Sequence, residues 1–226
     1  MKNLSFILTA FASLSTLVAS AQYSTRVADS DGRSLTERKE KSQPATGSMF
    51  VNEKFMPAKI SGNAAPVLLR YNGYADNFEM SNPQANETKT LPKDPNSTIT
   101  FVADDKKYVL ADYVKEDGNT NNGYLIVVNE TAKVKIYKRE RITMTPEFFP
   151  TNSYQSYKPA NYKKADDEFY VKLGDKEPVF FSGKKEFAKL VGGKNKEVLD
   201  FIKKNNINTE KEADLVKLSA YVETLI

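Results

Sequence analysis

The 226-residue chain contains neither cysteine nor histidine. Without thiols no disulfide can form, so the fold must close by hydrophobic burial alone. Without imidazole, no unperturbed side chain exchanges a proton near neutral pH. Ser-His-Asp and Cys-His nucleophile arrangements are excluded, and zinc or copper would lose their commonest ligands. What remains for catalysis is carboxylate pairs, Lys, Tyr, or a hard cation held by oxygen. No motif calls for a cofactor or a metal. A one-signed charge is lacking as well: Lys and Arg number 33 against 29 Asp and Glu. Acids interleave with bases almost everywhere, whereas a nucleic-acid binder shows a clustered basic face. No nucleic-acid partner is expected, and the charges read as solvated surface.

An apolar run long enough to span a bilayer, about 20 residues, is also absent. The uncharged stretch Leu4 to Val18 is shorter and carries Ser and Thr. It follows the positive start Met1-Lys2-Asn3 and precedes the small-x-small site Ala19-Ser20-Ala21. These are the three parts of a cleaved signal peptide over residues 1–21, cut between Ala21 and Gln22. A soluble, exported product is expected, periplasmic or secreted, with no transmembrane segment. No Cys follows the signal to take a lipid. With Lys2 removed, 32 basic and 29 acidic residues remain in the 205 that follow.

Residues 22–46 are polar and aperiodic and read as a flexible leader. From Gly47 to about Thr145 short apolar-alternating pieces recur: Phe50 to Ile60, Val67 to Tyr71, Phe78 to Met80, Thr98 to Val102, Tyr108 to Leu110, Tyr124 to Val128 and Val134 to Met144. Turn residues separate them, among them Ser61-Gly62-Asn63, Asp76-Asn77, Asp104-Asp105 and Asp117-Gly118. Such short connections predict an antiparallel meander or roll over 47–145. The continuous apolar run Tyr124 to Val128 belongs in the sheet centre. Lys133 to Arg141 alternates Lys with Val, Ile and Tyr and reads as a half-solvated edge or outer strand. Residues 146–166, with three prolines, form a Pro- and Tyr-containing connector. Over 167–226, two strands (Glu168 to Leu173, Pro178 to Phe181) precede two or three short helices. The first helix stops at Gly192-Gly193, and the second ends near Asn205-Asn206. Thr209-Glu210-Lys211-Glu212 reads as a capping box opening the third. Leu215, Leu218, Val222 and Leu225 mark that helix's buried stripe, or a homo-oligomer seam. The fold class expected is α+β: an antiparallel sheet with C-terminal helices packed on it.

The run Gly47-Ser48-Met49-Phe50-Val51-Asn52-Glu53, followed by Leu69-Arg70-Tyr71-Asn72-Gly73-Tyr74-Ala75-Asp76-Asn77-Phe78-Glu79, resembles the opening strands of a family of exported proteins common in Bacteroidota-type bacteria. Tyr157-Lys158-Pro159-Ala160, Glu168 to Lys172 and Phe201 to Asn205 are similar to that family's second half. Met49 departs from the proline or small residue expected there. The resemblance implies an exported bacterial β-rich body with a helical tail. The family carries no assigned activity, so it transfers no functional residue.

Three groupings could carry chemistry. Arg70, Asn72, Tyr74 and Asp76 could share a face and hold a sugar or a carboxylate-bearing ligand; alternatively, Arg70 and Asp76 pair across a hairpin. Tyr154, Tyr157 and Tyr162, interleaved with Lys158, Lys163 and Lys164, form an aromatic-basic partner surface or a cover for the core. Asp104-Asp105 and Asp166-Asp167-Glu168 are acidic clusters that read as turn residues, or as one half of a glycosidase carboxylate pair. Asp29-Ser30-Asp31-Gly32 and Asp117-Gly118-Asn119-Thr120-Asn121 offer oxygen donors but not the spacing of an EF-hand loop. The function expected is a non-catalytic binding or envelope-associated module, monomeric or weakly self-associating, whose partner is an envelope protein or a glycan. The alternative is a carboxylate-dependent carbohydrate-active enzyme. Terminal sequencing of the protein recovered from its own cells should start at Gln22; recovery from the cytosol with Met1 intact would defeat the export reading.

Overall fold

The computed structural model describes residues 26–28, 34–36 and 41–226 apart from Ser153. The expected signal peptide and most of the leader lie outside the described residues. Within the leader, β1 (Arg26–Ala28) and β2 (Ser34–Thr36) form a short antiparallel pair. That unit, residues 1–41, is separate from the body, residues 42–226.

The body begins earlier than the leader boundary expected at Thr46. Ser42 Oγ donates to Glu147 Oε2 at 2.7 Å, and Gln43 N donates to the Tyr157 hydroxyl at 2.9 Å. Thr46 N donates to the Ala160 carbonyl at 2.8 Å, and Tyr162 N to that of Thr46 at 2.9 Å. Gly47 makes this approach possible. Its φ of +74° is left-handed, and a Cβ there would collide with the Tyr162 carbonyl oxygen.

Strands β3 (Met56–Ile60), β4 (Val67–Asn72), β5 (Asn77–Asn82), β6 (Glu87–Thr90), β7 (Thr98–Phe101), β8 (Lys107–Val114), β9 (Thr120–Glu130) and β10 (Val134–Arg139) follow. Then come β11 (Ile142–Thr145), β12 (Asn161–Lys164), β13 (Glu168–Leu173) and β14 (Val179–Phe181), before α1 (Lys184–Leu190), α2 (Asn195–Lys204) and α3 (Glu212–Glu223). The architecture is α+β, as its pattern predicts. Ten strands run β14-β13-β10-β9-β8-β7-β3-β4-β5-β6, with β11 and β12 paired apart. No helix among the described residues is long and apolar enough to cross a membrane.

One pairing between strands departs from the all-antiparallel expectation. Val179 of β14 lies parallel to Val114 of β8, and Val114 N donates to the Pro178 carbonyl at 2.8 Å. This closes β8, β9, β10, β13 and β14 into a ring of five strands. Side chains fill so small a ring: Tyr113, Leu125, Tyr137 and Tyr170 are buried together, with Val109, Ala111, Val127 and Phe180 against them. The opposite faces of β8 and β9 serve a second core, where Tyr71, Phe78, Phe101, Tyr108 and Tyr124 cluster around Ala58, Leu69 and Ile99. The Phe78 ring meets Tyr124 edge-on at 4.8 Å and Tyr108 edge-on at 5.1 Å, the geometry aromatic quadrupoles favour.

A third core joins the sheet to the helices. Val134, Ile136, Phe169, Val171 and Phe181 face Phe187, Val198, Ile202, Leu215, Leu218 and Val222. Each such aliphatic side chain, fully buried, contributes roughly 1.5–3 kcal/mol relative to exposure. The Leu215, Leu218 and Val222 stripe is therefore internal. β10 corrects the expected edge strand, since β9 and β13 flank it on both sides. Its lysines fit because each finds an acid: Lys135 Nζ donates to Glu130 at 2.8 Å and Lys138 Nζ to Glu212 at 2.5 Å. β6 and β12 were not expected; Thr, Lys and Asn give both little apolar signal. The capping box is also not formed: α3 starts after Lys211 without a side-chain cap. Glu212 is drawn to Lys138, while Asp214 Oδ2 accepts from Asn208 N at 3.0 Å.

Three buried phenols set the alkaline limit of this fold. Burial first, and then the neighbouring carboxylates Asp76, Glu140 and Glu168, raise Tyr71, Tyr108 and Tyr170 above the usual phenol value of 10.0. A phenol raised by folding contributes stability that is fully present below its unfolded value and is lost as pH climbs toward the folded one. Urea midpoints should begin to fall near pH 10, as only the unfolded chain releases these protons. Phenolate absorbance from these three tyrosines should appear only with unfolding. Their titration alongside exposed Tyr154, in a chain still folded, would refute this.

Candidate functional site

The structure separates the four residues grouped at the β4–β5 turn. Arg70 lies opposite Glu79 in register and donates to Glu79 Oε2 through Nε at 2.9 Å and Nη2 at 2.6 Å. Its guanidinium lies over the Phe50 ring at 3.6 Å and the Phe55 ring at 4.4 Å, a stacked arrangement that planar cation favours. Asn72 is buried, and its Oδ1 accepts from Tyr74 N at 3.1 Å and Ala75 N at 2.9 Å, closing the turn. Asp76, left-handed at φ 52°, accepts from the Tyr71 hydroxyl at 2.6 Å, Tyr124 N at 3.2 Å and Lys93 Nζ at 3.0 Å. The expected pairing of Arg70 with Asp76 is thus replaced by two other pairings. Only Tyr74, 48 % exposed, faces outward, with its ring edge-on to Tyr162 at 5.3 Å.

The connector is an excursion between β11 and β12, which pair Ile142 with Lys164 through Thr145 with Asn161. Past that pair, Phe148 bridges Lys158, and the Phe149 and Tyr157 rings meet at 5.2 Å. Tyr157 is half-buried, accepting from Gln43 N and donating to Glu147 Oε2 at 3.1 Å. Tyr162 is half-buried and lies opposite Met144. Tyr154 is 98 % exposed.

A buried charge network that no motif announces lies where β10 leaves the sheet. Glu140 is almost fully buried, with Lys106 at 3.4 Å, Lys138 at 3.6 Å and Lys164 at 3.8 Å. The Tyr108 hydroxyl donates to Glu140 at 3.3 Å. Lys138 also reaches Glu212 and lies 3.8 Å from Asp167. Burial pulls the Lys138 ammonium down, but Glu212 and Glu140 outweigh it and hold its pKa above the ordinary value. Beside this network, Glu168 takes Arg141 at 2.8 Å, Arg139 at 3.4 Å and the Tyr170 hydroxyl at 2.8 Å.

A cleft of about 960 Å³ opens against this network. Phe169, Phe180 and Phe181 contribute its aromatic lining, and Arg141, Lys163 and Lys164 its cations. Glu116, Asp166, Asp167, Glu168 and Glu210 contribute its acids. One acidic cluster read from the sequence thus lies in the cleft wall. The other occupies the β7–β8 turn, where Asp105 is left-handed and Asp104 Oδ1 accepts from Lys106 N at 3.2 Å. Asp117 likewise closes its own turn, accepting from Asn119 N at 3.0 Å and Lys115 Nζ at 3.0 Å. Among the described residues no three acidic side chains converge closely enough to hold a metal ion. Asp29 and Asp31 lie outside the described residues.

No family model matches the chain, and no curated protein or solved structure is significantly similar to it.

Gly123 is what lets Asp76 reach the Tyr124 amide. A Cβ on Gly123 would stand 2.5 Å from Asp76 Oδ2 and 3.3 Å from Tyr113 Cε1. Gly123→Ala should displace the carboxylate and leave the buried Tyr71 hydroxyl unpaired, a loss of about 1–3 kcal/mol in urea unfolding. A change below about 0.5 kcal/mol would show that the contact is not a structural constraint.

Proposed function

We propose that this chain is an exported, non-catalytic binding module that engages a protein of the cell envelope through the β11–β12 excursion. The observation carrying this reading is the concentration of exposed apolar side chains on one surface. Of the eight large hydrophobic residues exposed among the described residues, Phe148, Phe149 and Tyr154 belong to the excursion, Met144 stands in β11 at its base, and Tyr74 meets Tyr162 of β12. Exposed apolar side chains gathered in one segment mark interaction sites, and Tyr, Phe and Met are enriched at interface centres. Lys158 and Lys163, both exposed, lie on the return side of the excursion and leave it a polar rim.

Rigidity supports the same reading. The base of the excursion is pinned by β11–β12 pairing, by Thr46 against Ala160 and Tyr162, and by the Phe148–Lys158 bridge. A preordered platform loses less conformational entropy on binding than a free loop. Against catalysis stands the employment of the buried and half-buried acids. Asp76, Glu140 and Glu168 each accept from a tyrosine hydroxyl and stand in ion-pair range of at least one Lys or Arg. Carboxylates so committed are poorly placed to shuttle protons to a substrate. The signal-like N-terminus and the resemblance to exported bacterial proteins support the envelope as the place of action.

Co-sedimentation with purified envelope fragments tests the proposal. The protein should pellet with them, protease treatment of the fragments should abolish this, and Phe149→Ser/Tyr154→Ser should weaken it at least tenfold. Pelleting that survives protease but is lost after glycan digestion would replace the protein partner with a glycan. Equal pelleting of the variant would remove the excursion from the interface.

A further inference from the structure

The ten-stranded sheet has one open edge among the described residues. At its far end β14 pairs with both β13 and β8, so that side is closed. β6 pairs with β5 alone, and every residue from Asn82 to Thr90 is exposed. The register fixes which backbone groups face outward. Leu91 N donates to the Phe78 carbonyl at 2.8 Å, so Leu91, Lys89 and Glu87 turn their backbone groups toward β5. Thr88 and Thr90 turn theirs away, and no other element among the described residues bonds to them. Such an edge is a template for a further strand unless something blunts it: an unneutralised lysine, a bulge, a proline within the strand or a covering loop. β6 has an unbroken register and no proline, and Lys89 Nζ is neutralised by Glu87 Oε2 at 2.8 Å. Thr, at two of the four positions, favours strands.

The sequence of this edge says what fits it. A second copy related by a two-fold axis lies antiparallel, and its outward residues, again Thr88 and Thr90, must meet those of the first. Three registers satisfy this. Thr90 on Thr90 sets Lys89 against Leu91. Thr88 on Thr90 sets Lys89 against Lys89, like charges directly opposed. Thr88 on Thr88 sets Glu87 against Lys89 twice, once on each side of the axis. Those are non-hydrogen-bonded positions, where facing side chains stand closest. Glu87-Thr88-Lys89 is therefore complementary in charge to its own antiparallel copy. The Glu87–Lys89 ion pair within each chain would join its equivalent in one four-charge cluster across the axis. Pairing uses up the open edge of both sheets, so it closes at two chains and does not propagate. The stripe of Leu215, Leu218 and Val222 offers no competing seam, because the helix–sheet core already covers it.

We propose that this chain self-associates as a two-fold dimer through β6, Thr88 meeting Thr88 and Glu87 meeting Lys89 of the second copy. An edge of four residues buries far less area than a standard interface, so the dissociation constant should lie at roughly 0.1–1 mM. Sedimentation equilibrium of the purified chain across that range should show the mass rising from one chain toward two. Amide exchange at Thr88 and Thr90 should slow over the same range. Thr88→Pro removes an outward N–H that β5 does not use, and should leave a monomer with the parent's unfolding midpoint. Lys89→Glu gathers four carboxylates at the axis and should also leave a monomer, whereas the swap Glu87→Lys/Lys89→Glu restores the complementarity and should restore association. A parent that stays monomeric throughout, association that survives both Thr88→Pro and Lys89→Glu, or a swapped variant that stays monomeric would overturn the proposal. So would loss of association in Phe149→Ser/Tyr154→Ser, which would assign the self-contact to the excursion. That variant should dimerise as the parent does, so this proposal and the envelope reading can fail separately.

Discussion

The rest of the fold depends on burying Lys138 and Glu140 where β10 leaves the sheet. A charge taken from water costs several kcal/mol, and its partners must return that through short, well-placed contacts. Here four elements must supply them at once: Lys106 from the approach to β8, Lys164 from β12, Asp167 from the loop before β13, and Glu212 from the first turn of α3. None of these can slide by a residue without leaving an ammonium or a carboxylate stranded. Replacing all the charges by apolar groups could leave stability intact, whereas removing one partner could not. What the network contributes is therefore placement more than net energy. Only one docking of α3 brings Glu212 to Lys138, and the same docking sets Glu223 against the amides of Lys133 and Val134 at 3.0 and 2.9 Å.

The same logic runs through the tyrosines. A core built without Trp relies on Tyr for bulk, and each buried phenol brings a hydroxyl that must be satisfied. Tyr71, Tyr108 and Tyr170 use Asp76, Glu140 and Glu168, and Tyr113 accepts from Asn121 Nδ2 at 2.7 Å. Two of those three acids also belong to the ion-pair system at the cleft. Core packing and the charged wall are thus one connected structure. Arg139 shows the coupling: it pairs with Glu168 while its guanidinium lies 5.4 Å from the centre of the Tyr113 ring inside the five-stranded ring.

Local pattern made much of this legible. Alternation and turn residues give β4, β7 and β13 close to their observed limits, and Gly192 and Asn205 mark the stops of α1 and α2. The failures lie where a distant element decides. Lys133 to Arg141 reads as an edge because three of its alternating positions are lysines. Nothing local reveals that β13, about thirty residues onward, returns to cover it. Thr209 to Glu212 satisfies a capping pattern, yet Glu212 finds a better partner in Lys138, 74 positions earlier. Arg70 and Asp76 are close in sequence, but Glu79 stands opposite Arg70 in register and a left-handed backbone turns Asp76 toward Tyr71. The tyrosines of the connector could be named from composition. Their division into freely exposed Tyr154 and half-buried Tyr157 and Tyr162 could not, because it depends on contacts with residues 43, 74 and 144.

The cleft was invisible for a further reason. Its walls come from residues 116, 141, 143, 163–169, 180–182 and 209–210, so no window of sequence contains it. Its charge imbalance also depends on which groups are already paired. Counted along the chain, Lys163-Lys164 followed by Asp166-Asp167 is neutral. In the fold, the half-exposed Lys164 stands 3.8 Å from Glu140 and 3.4 Å from Asp167, while Asp166 forms no ion pair among the described residues. Satisfying the buried carboxylates removes cations from the surface, and the acids left behind set the sign of the field in the cleft. The docking of α3 and the charge of the cleft therefore share two acids: Glu140 and Asp167 meet both Lys138, which holds Glu212, and Lys164, which lines the cleft.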